Sequence, residues 1–173
     1  MTKPLLLIDV DGVLNPFAVT NLADVTDYEM HWMRPDCWTE PGDLLVWLNP
    51  AHGPALTALP YELVWATTWQ HDANEWIGPR IGLPTLSVIT WTDMDATRND
   101  GTYWKTHEIV SWAAGRPFAW VDDQLDATDR AYVAAHHGGP ALLYDVDPSL
   151  GLREDDFATL AAWAASLTEG VTR

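Results

Sequence analysis

The chain has 173 residues, enough for one domain with a sizeable core, and sets nine Lys plus Arg against 25 Asp plus Glu, a formal net charge of -16. That excess of acid disfavours a broad nucleic-acid or membrane surface, and no apolar stretch approaches the ~20 residues that cross a bilayer. The single Cys37 excludes an internal disulfide, and Met1-Thr2-Lys3-Pro4 lacks the apolar run of a signal peptide, so a reducing cytoplasm is the expected location.

Leu5-Leu6-Leu7-Ile8 has no polar face, as a strand buried on both sides requires, and it runs straight into Asp9-Val10-Asp11-Gly12. The segment 15–60 is rich in Pro, Asn, Asp and Trp and is expected to form a small flap or cap. Within it, Tyr28 to Met33 and Leu44 to Leu48 read as two strands around a Pro41-Gly42 turn, and Ala51 to Leu59 as a short helix. Leu63 to Ala66 is a second buried strand that ends at Thr67-Thr68. Asp72 is expected to cap a helix running to about Ile77, which Gly78-Pro79 stops.

Leu86 to Trp91 reads as a third strand, followed by a polar loop with Asp93, Asp95, Asn99 and Gly101. Trp104 to Ala114 carries a helical pattern that ends at Gly115. Phe118 to Val121 is a fourth strand ending in Asp122-Asp123. Asp126 to His136 is helical, Ala141 to Tyr144 is a fifth strand, and Glu154 to Leu167 is a final helix. Strands alternating with helices predict an α/β fold with a doubly wound parallel sheet, one domain over residues 1–173.

In a parallel sheet the strand C-termini open on one edge, so Asp9, Asp11, Thr67, Asp122 and Asp123 can converge there. Lys105, one of only two lysines, reaches them from the start of a helix. Two acids at one strand end repel each other unless a cation or a shared proton relieves them. Hard Mg²⁺ takes oxygen ligands, a threonine hydroxyl can donate to a phosphoryl oxygen, and a lysine can neutralise both acids and phosphate. The set suits phosphoryl transfer, which needs positioning and charge neutralisation above all.

Thr67 and Thr68 compete for the hydroxyl role, with alternation favouring Thr67. Trp65, Trp69 and Trp120 read as core or rim side chains, and Trp69 is the best candidate among them for substrate contact. Asp126 reads as a helix N-cap and Asp129 as part of a solvated face. Cys37 reads as a small half-buried side chain, His71 as a surface-loop residue, and His136-His137 as a helix end. Nothing has zinc-ligand spacing.

Four segments occur in the order LLLIDVDGVLN at 5–15, LVWATTW at 63–69, WKT at 104–106 and FAWVDD at 118–123. This resembles the haloacid dehalogenase (HAD) superfamily, whose pattern is a strand plus DxDG, a strand ending in Thr or Ser, a Lys, and a strand ending in paired acids. DVDGVLN and WATTW further resemble the small HAD domains found alone or in bacterial RNA-repair proteins. The resemblance implies a Rossmann-like HAD core with a minimal cap or flap, acting as a Mg²⁺-dependent phosphatase. Asp9 would be the nucleophile that forms an aspartyl-phosphate, and Asp11 would give and then take the proton. Thr67 and Lys105 would complete the catalytic set. Mg²⁺ would contact the Asp9 carboxylate, the Asp11 backbone carbonyl and Asp122, with Asp123 helping directly or through water. Gly12, Thr68 and Trp69 are the expected substrate contacts.

Asp11 separates the chain from the dehalogenases, which lack an acid at that place. Receiver domains place the lysine last, whereas Lys105 precedes the second acidic pair. The expected partner is a phosphorylated small molecule or nucleotide, with a polynucleotide end disfavoured by charge and no membrane. A catalytically silent HAD-fold binding module and a DxD glycosyltransferase are the alternatives.

Overall fold

A computed structural model describes residues 2–94 and 98–169, so Asp95 of the expected polar loop lies outside the described residues. Its strands are β1 (Leu5–Ile8), β2 (Glu29–Met33), β3 (Leu44–Leu48), β4 (Glu62–Trp65), β5 (Ser87–Val88), β6 (Phe118–Asp122) and β7 (Ala141–Asp145). Five of them form a parallel sheet in the order β5-β4-β1-β6-β7, with β2 and β3 in a separate antiparallel pair. The central place of β1 explains its lack of a polar face. Leu6 and Ile8 enter one core, Leu5 and Leu7 the other, and all four are 0% exposed.

Helices α1 (His52–Ala58), α2 (Gly78–Ile81) and α5 (Glu154–Glu169) supply Leu56, Ile81 and Leu160 to the first core. Helices α3 (Thr106–Ala113) and α4 (Ala127–His136) supply Ile109 and Val133 to the second. After β1 the chain lays β4 and β5 on one side, then returns to lay β6 and β7 on the other. The switch point therefore falls between β1 and β6, where open α/β sheets take their ligands. This is the Rossmann-like α/β fold the alternating pattern predicts.

The hairpin of β2 and β3 sits in the expected flap and pairs Met33 with Leu44 and Trp32 with Leu45. Met33, Val46 and Leu48 point into the first core, while Met30 and Trp32 are exposed at 60% and 67%.

Four local expectations need correction. The third strand is only Ser87–Val88, because its single neighbour β4 itself ends at Trp65 and the last ladder bond runs from Ile89 N–H to the Trp65 carbonyl. Gly78-Pro79 does not stop a helix: a π turn over Ala73–Ile77 passes directly into α2, which ends at Gly82 with φ 77°. Pro79 falls in the first turn of α2, where a missing N–H removes no intrahelical bond. Asp72 does not cap that segment either; its Oδ2 accepts from the Cys37 backbone N–H at 2.8 Å. Cys37 itself is exposed rather than half-buried.

Two contacts fix α1 against its neighbours. A Cβ on Gly53 would lie 1.6 Å from the Ile81 carbonyl oxygen, so only glycine lets these backbones meet. His52, 3% exposed, donates from Nε2 to the Leu152 carbonyl at 3.1 Å and packs between the rings of Tyr28 and Phe157. No described helix is long and apolar enough to cross a membrane.

Burial lowers the His52 pKa from 6.5 to about 4, so the neutral ring is the native form. Unfolding between those values takes up a proton, so the stabilising effect is complete above pH 6.5 and is lost as pH falls towards 4. The loss amounts to about 3 kcal/mol. Urea unfolding of wild type and His52→Gln from pH 7 to pH 4 should show wild type losing that much more; parallel curves would refute the assignment.

Candidate active site

Strand register assembles the site. Ile8 is level with both Trp65 and Val121, so the next residues on β1 and β6, Asp9 and Asp122, lie side by side at the switch point. Alternation sends both side chains towards α3: Asp9 follows Leu5 and Leu7, and Asp122 follows Phe118 and Trp120, all in the second core. Lys105 stands at the N-cap position of α3 and is 0% exposed. Its Nζ lies 2.5 Å from Asp9 Oδ2 and 2.8 Å from Asp122 Oδ2, and Trp120 Nε1 donates to the same Asp122 oxygen at 3.2 Å.

A helix N-terminus disfavours a cation, and burial alone would strip the proton from Lys105. The carboxylates of Asp9 and then Asp122 outweigh both effects and hold the ammonium above its usual range. Burial pushes Asp122 upward, against the pull of Lys105, and Asp123 is raised by burial and by the charge of Asp9. Asp9, Asp122 and Asp123 each offer an oxygen within 4.8 Å of the others. Three carboxyl groups face one ammonium, a formal excess of two negative charges, and the donors are all oxygen. A hard divalent cation fits that set in charge and in chemistry.

Gly12 is buried beneath this cluster rather than along the cleft. It has φ 77°, and a Cβ there would come within 2.4 Å of the Asp123 side chain.

Asp11 occupies a different environment. Its Oδ1 accepts from Asn15 Nδ2 at 2.8 Å and its Oδ2 from Trp69 Nε1 at 2.9 Å. Burial nevertheless raises its pKa, reinforced by the charge of Asp9. Asn15 is 2% exposed and also accepts from the Trp47 backbone N–H at 3.0 Å, so it ties the acid to the flap. Thr67 is fully buried: its Oγ1 accepts from Trp69 N–H at 3.3 Å and its carbonyl from Trp91 Nε1 at 2.8 Å. Thr68 is exposed and lines the cleft with Asp9, Asp11 and Trp69. Gln70 and His71 line it too, Gln70 in the left-handed region with φ 46°. The Cys37 thiol at the cleft wall is pushed up to about 12, by desolvation and then by Asp72, which makes it a poor nucleophile.

Asp129 does not belong to a solvated face. It is 1% exposed and completes a capping box with the N-cap Asp126, whose backbone N–H donates to Asp129 Oδ2 at 3.1 Å. Its Oδ1 accepts from Tyr103 N–H at 2.8 Å and from Thr106 Oγ1 at 2.6 Å, gripping the chain on both sides of Lys105. The spacing of Asp126 and Asp129 carries the capping signal; the second role depends on α4 packing beside α3. Asn15 closes the DVDGVLN segment, but no role for it could be read from the sequence.

The family described as the HAD domain in Swiss Army Knife RNA repair proteins matches the chain over residues 5–157. No curated protein and no solved structure matches it.

Lys105→Met leaves two buried carboxylates without their cation and should cost about 3–5 kcal/mol of unfolding free energy. Denaturant unfolding that shifts by under 1 kcal/mol would contradict the ion-pair geometry. Asp129→Ala takes the acceptor from the Tyr103 N–H, the Thr106 hydroxyl and the Asp126 N–H, an expected loss of about 3 kcal/mol, whereas Thr106→Val removes one bond for about 1 kcal/mol. Equal effects of the two substitutions in thermal unfolding would show that the Tyr103 and Asp126 contacts contribute nothing.

Proposed function

The chain belongs to the family of HAD domains found in Swiss Army Knife RNA repair proteins, and on that premise we propose that it is a Mg²⁺-dependent phosphohydrolase acting on a phosphate monoester. The observation that carries this reading is the divided environment of two acids one residue apart. Asp9 is ion-paired with Lys105, while Asp11 is raised in pKa and oriented by two donors at the cleft. Such a split assigns attack to one carboxylate and proton transfer to the other.

Asp9 attacks phosphorus as the ester P–O bond breaks, and the departing oxygen takes the proton of Asp11. Water then attacks the aspartyl-phosphate, Asp11 takes back a proton, and the bond from Asp9 to phosphorus breaks to release inorganic phosphate. Asn15 and Trp69 hold Asp11 in line for both transfers. Lys105 pairs with Asp9 and offsets charge beneath the phosphoryl group. The Thr68 hydroxyl at the cleft, or that of Thr67 after a small turn, donates to a phosphoryl oxygen. Asp9, Asp122, Asp123 and the Asp11 carbonyl would hold Mg²⁺, which supplies charge neutralisation for the transferring group. The cytoplasm, where a lone cysteine stays reduced, is the setting we infer.

Phosphate release from p-nitrophenyl phosphate should require Mg²⁺, stop with a chelator and return on readdition. Asp9→Asn should lose at least about 10³-fold in kcat. Asp11→Asn should lose about 10²-fold or more, with a smaller deficit for p-nitrophenyl phosphate than for an alkyl ester, since nitrophenolate leaves without a proton. Full activity in Asp9→Asn would sink the mechanism, and a wild-type protein inert towards every ester would favour a silent binding module.

A further inference from the structure

The cleft above Asp9 has a volume of about 910 Å³, ample for a ring system beside a phosphate. Its charge is one-sided. The charged residues that line it are Asp9, Asp11 and Asp72, and among the described residues no lysine or arginine does. Lys105, in the floor, is fully buried and held by Asp9 and Asp122. Arg98, in the loop between β5 and α3, donates to the Trp104 carbonyl at 3.1 Å and lies 3.9 Å from Glu108. The walls are apolar and aromatic: Phe17 (57% exposed), Trp38, Leu45, Met94 (44% exposed) and Trp104.

The cationic groups gather at the floor, where Lys105 lies and where Asp9, Asp122 and Asp123 would hold a divalent cation, so a single phosphate is placed there. Away from the floor the lining offers a second anionic group Thr68, Gln70, His71 and Gln124 but no lysine or arginine among the described residues, and Asp11 and Asp72 repel it. A flat, uncharged ring would instead replace water along aromatic walls with favourable edge and face contacts. Polynucleotide ends fare worst, because their next phosphate falls within reach of the same acidic cleft on a chain of net charge -16.

Resting on the phosphatase reading, we propose that the substrate is a phosphate monoester whose phosphate is its only anionic group and whose leaving group is a neutral aromatic. Phe17 and Trp38 are the side chains that select the ring. The ester P–O bond is hydrolysed as above, giving inorganic phosphate and an uncharged aromatic alcohol.

Three esters with similar leaving oxygens test this: butyl phosphate, 2-phenylethyl phosphate and 2-(4-carboxyphenyl)ethyl phosphate, with a 5′-phosphorylated oligonucleotide as a fourth. The ring should raise kcat/KM about 10-fold over butyl, chiefly through KM, and the added carboxylate should reverse that gain. Phe17→Ala, at an exposed position, and Trp38→Ala should each lower the ratio of kcat/KM for 2-phenylethyl phosphate over butyl phosphate about 10-fold; an unchanged ratio in both overturns their role. Equal kcat/KM for all three esters, or preference for the carboxylated ester or the oligonucleotide, overturns the specificity and leaves the phosphatase standing. No turnover of any of the four overturns both.

Discussion

Burying an ammonium group is unfavourable by several kcal/mol unless carboxylates meet it in good geometry, and Lys105 is met by two. Asp9 ends the central strand, Asp122 ends its neighbour, and Lys105 precedes the helix that covers both. The three positions can be satisfied together only if β1 and β6 hold their register and α3 starts where it does. Sheet order, strand alternation and helix placement are thus coupled through one ion cluster. Asp129 strengthens that coupling by binding the chain on either side of Lys105 from the next helix.

The same cluster separates two acids that are neighbours in sequence. Asp9 is the last residue to follow the strand's alternation and turns into the second core. Asp11 lies beyond the strand in the turn closed by Asn15, where Trp69 and Asn15 are its donors. Their different surroundings underlie the proposed division between attack and proton transfer. The flap joins through Asn15, which accepts from Trp47 as it donates to Asp11. One small amide therefore relates the position of the acid to the wall of the cleft.

The fold was legible where a segment's burial is symmetrical and its period clear. The unbroken apolar runs of β1 and β6 and the helical pattern of α4 each state their own environment. Legibility failed where a neighbour sets the outcome. β5 is short because β4 offers it no longer edge, and Gly78-Pro79 fails to break a helix because a π turn brings Pro79 into a first turn. Cys37 is exposed at a cleft wall that exists only once the flap has docked.

The sequence by itself determined which groups reach the sheet edge, because strand period and strand-end acids are local and covalent in origin. It placed Asp9, Asp11, Thr67, Asp122 and Asp123 on one rim and brought Lys105 near them. Only the tertiary structure decided the partners. Lys105 and Asp9 are 96 residues apart in the chain, Trp69 and Asp11 are 58 apart, and Asp129 and Tyr103 are 26 apart. Such pairings depend on how helices and flap pack, and no spacing in the chain encodes them. The one-sided acidity of the cleft has the same origin, since the scarce basic residues could have faced it and the packing turned them elsewhere.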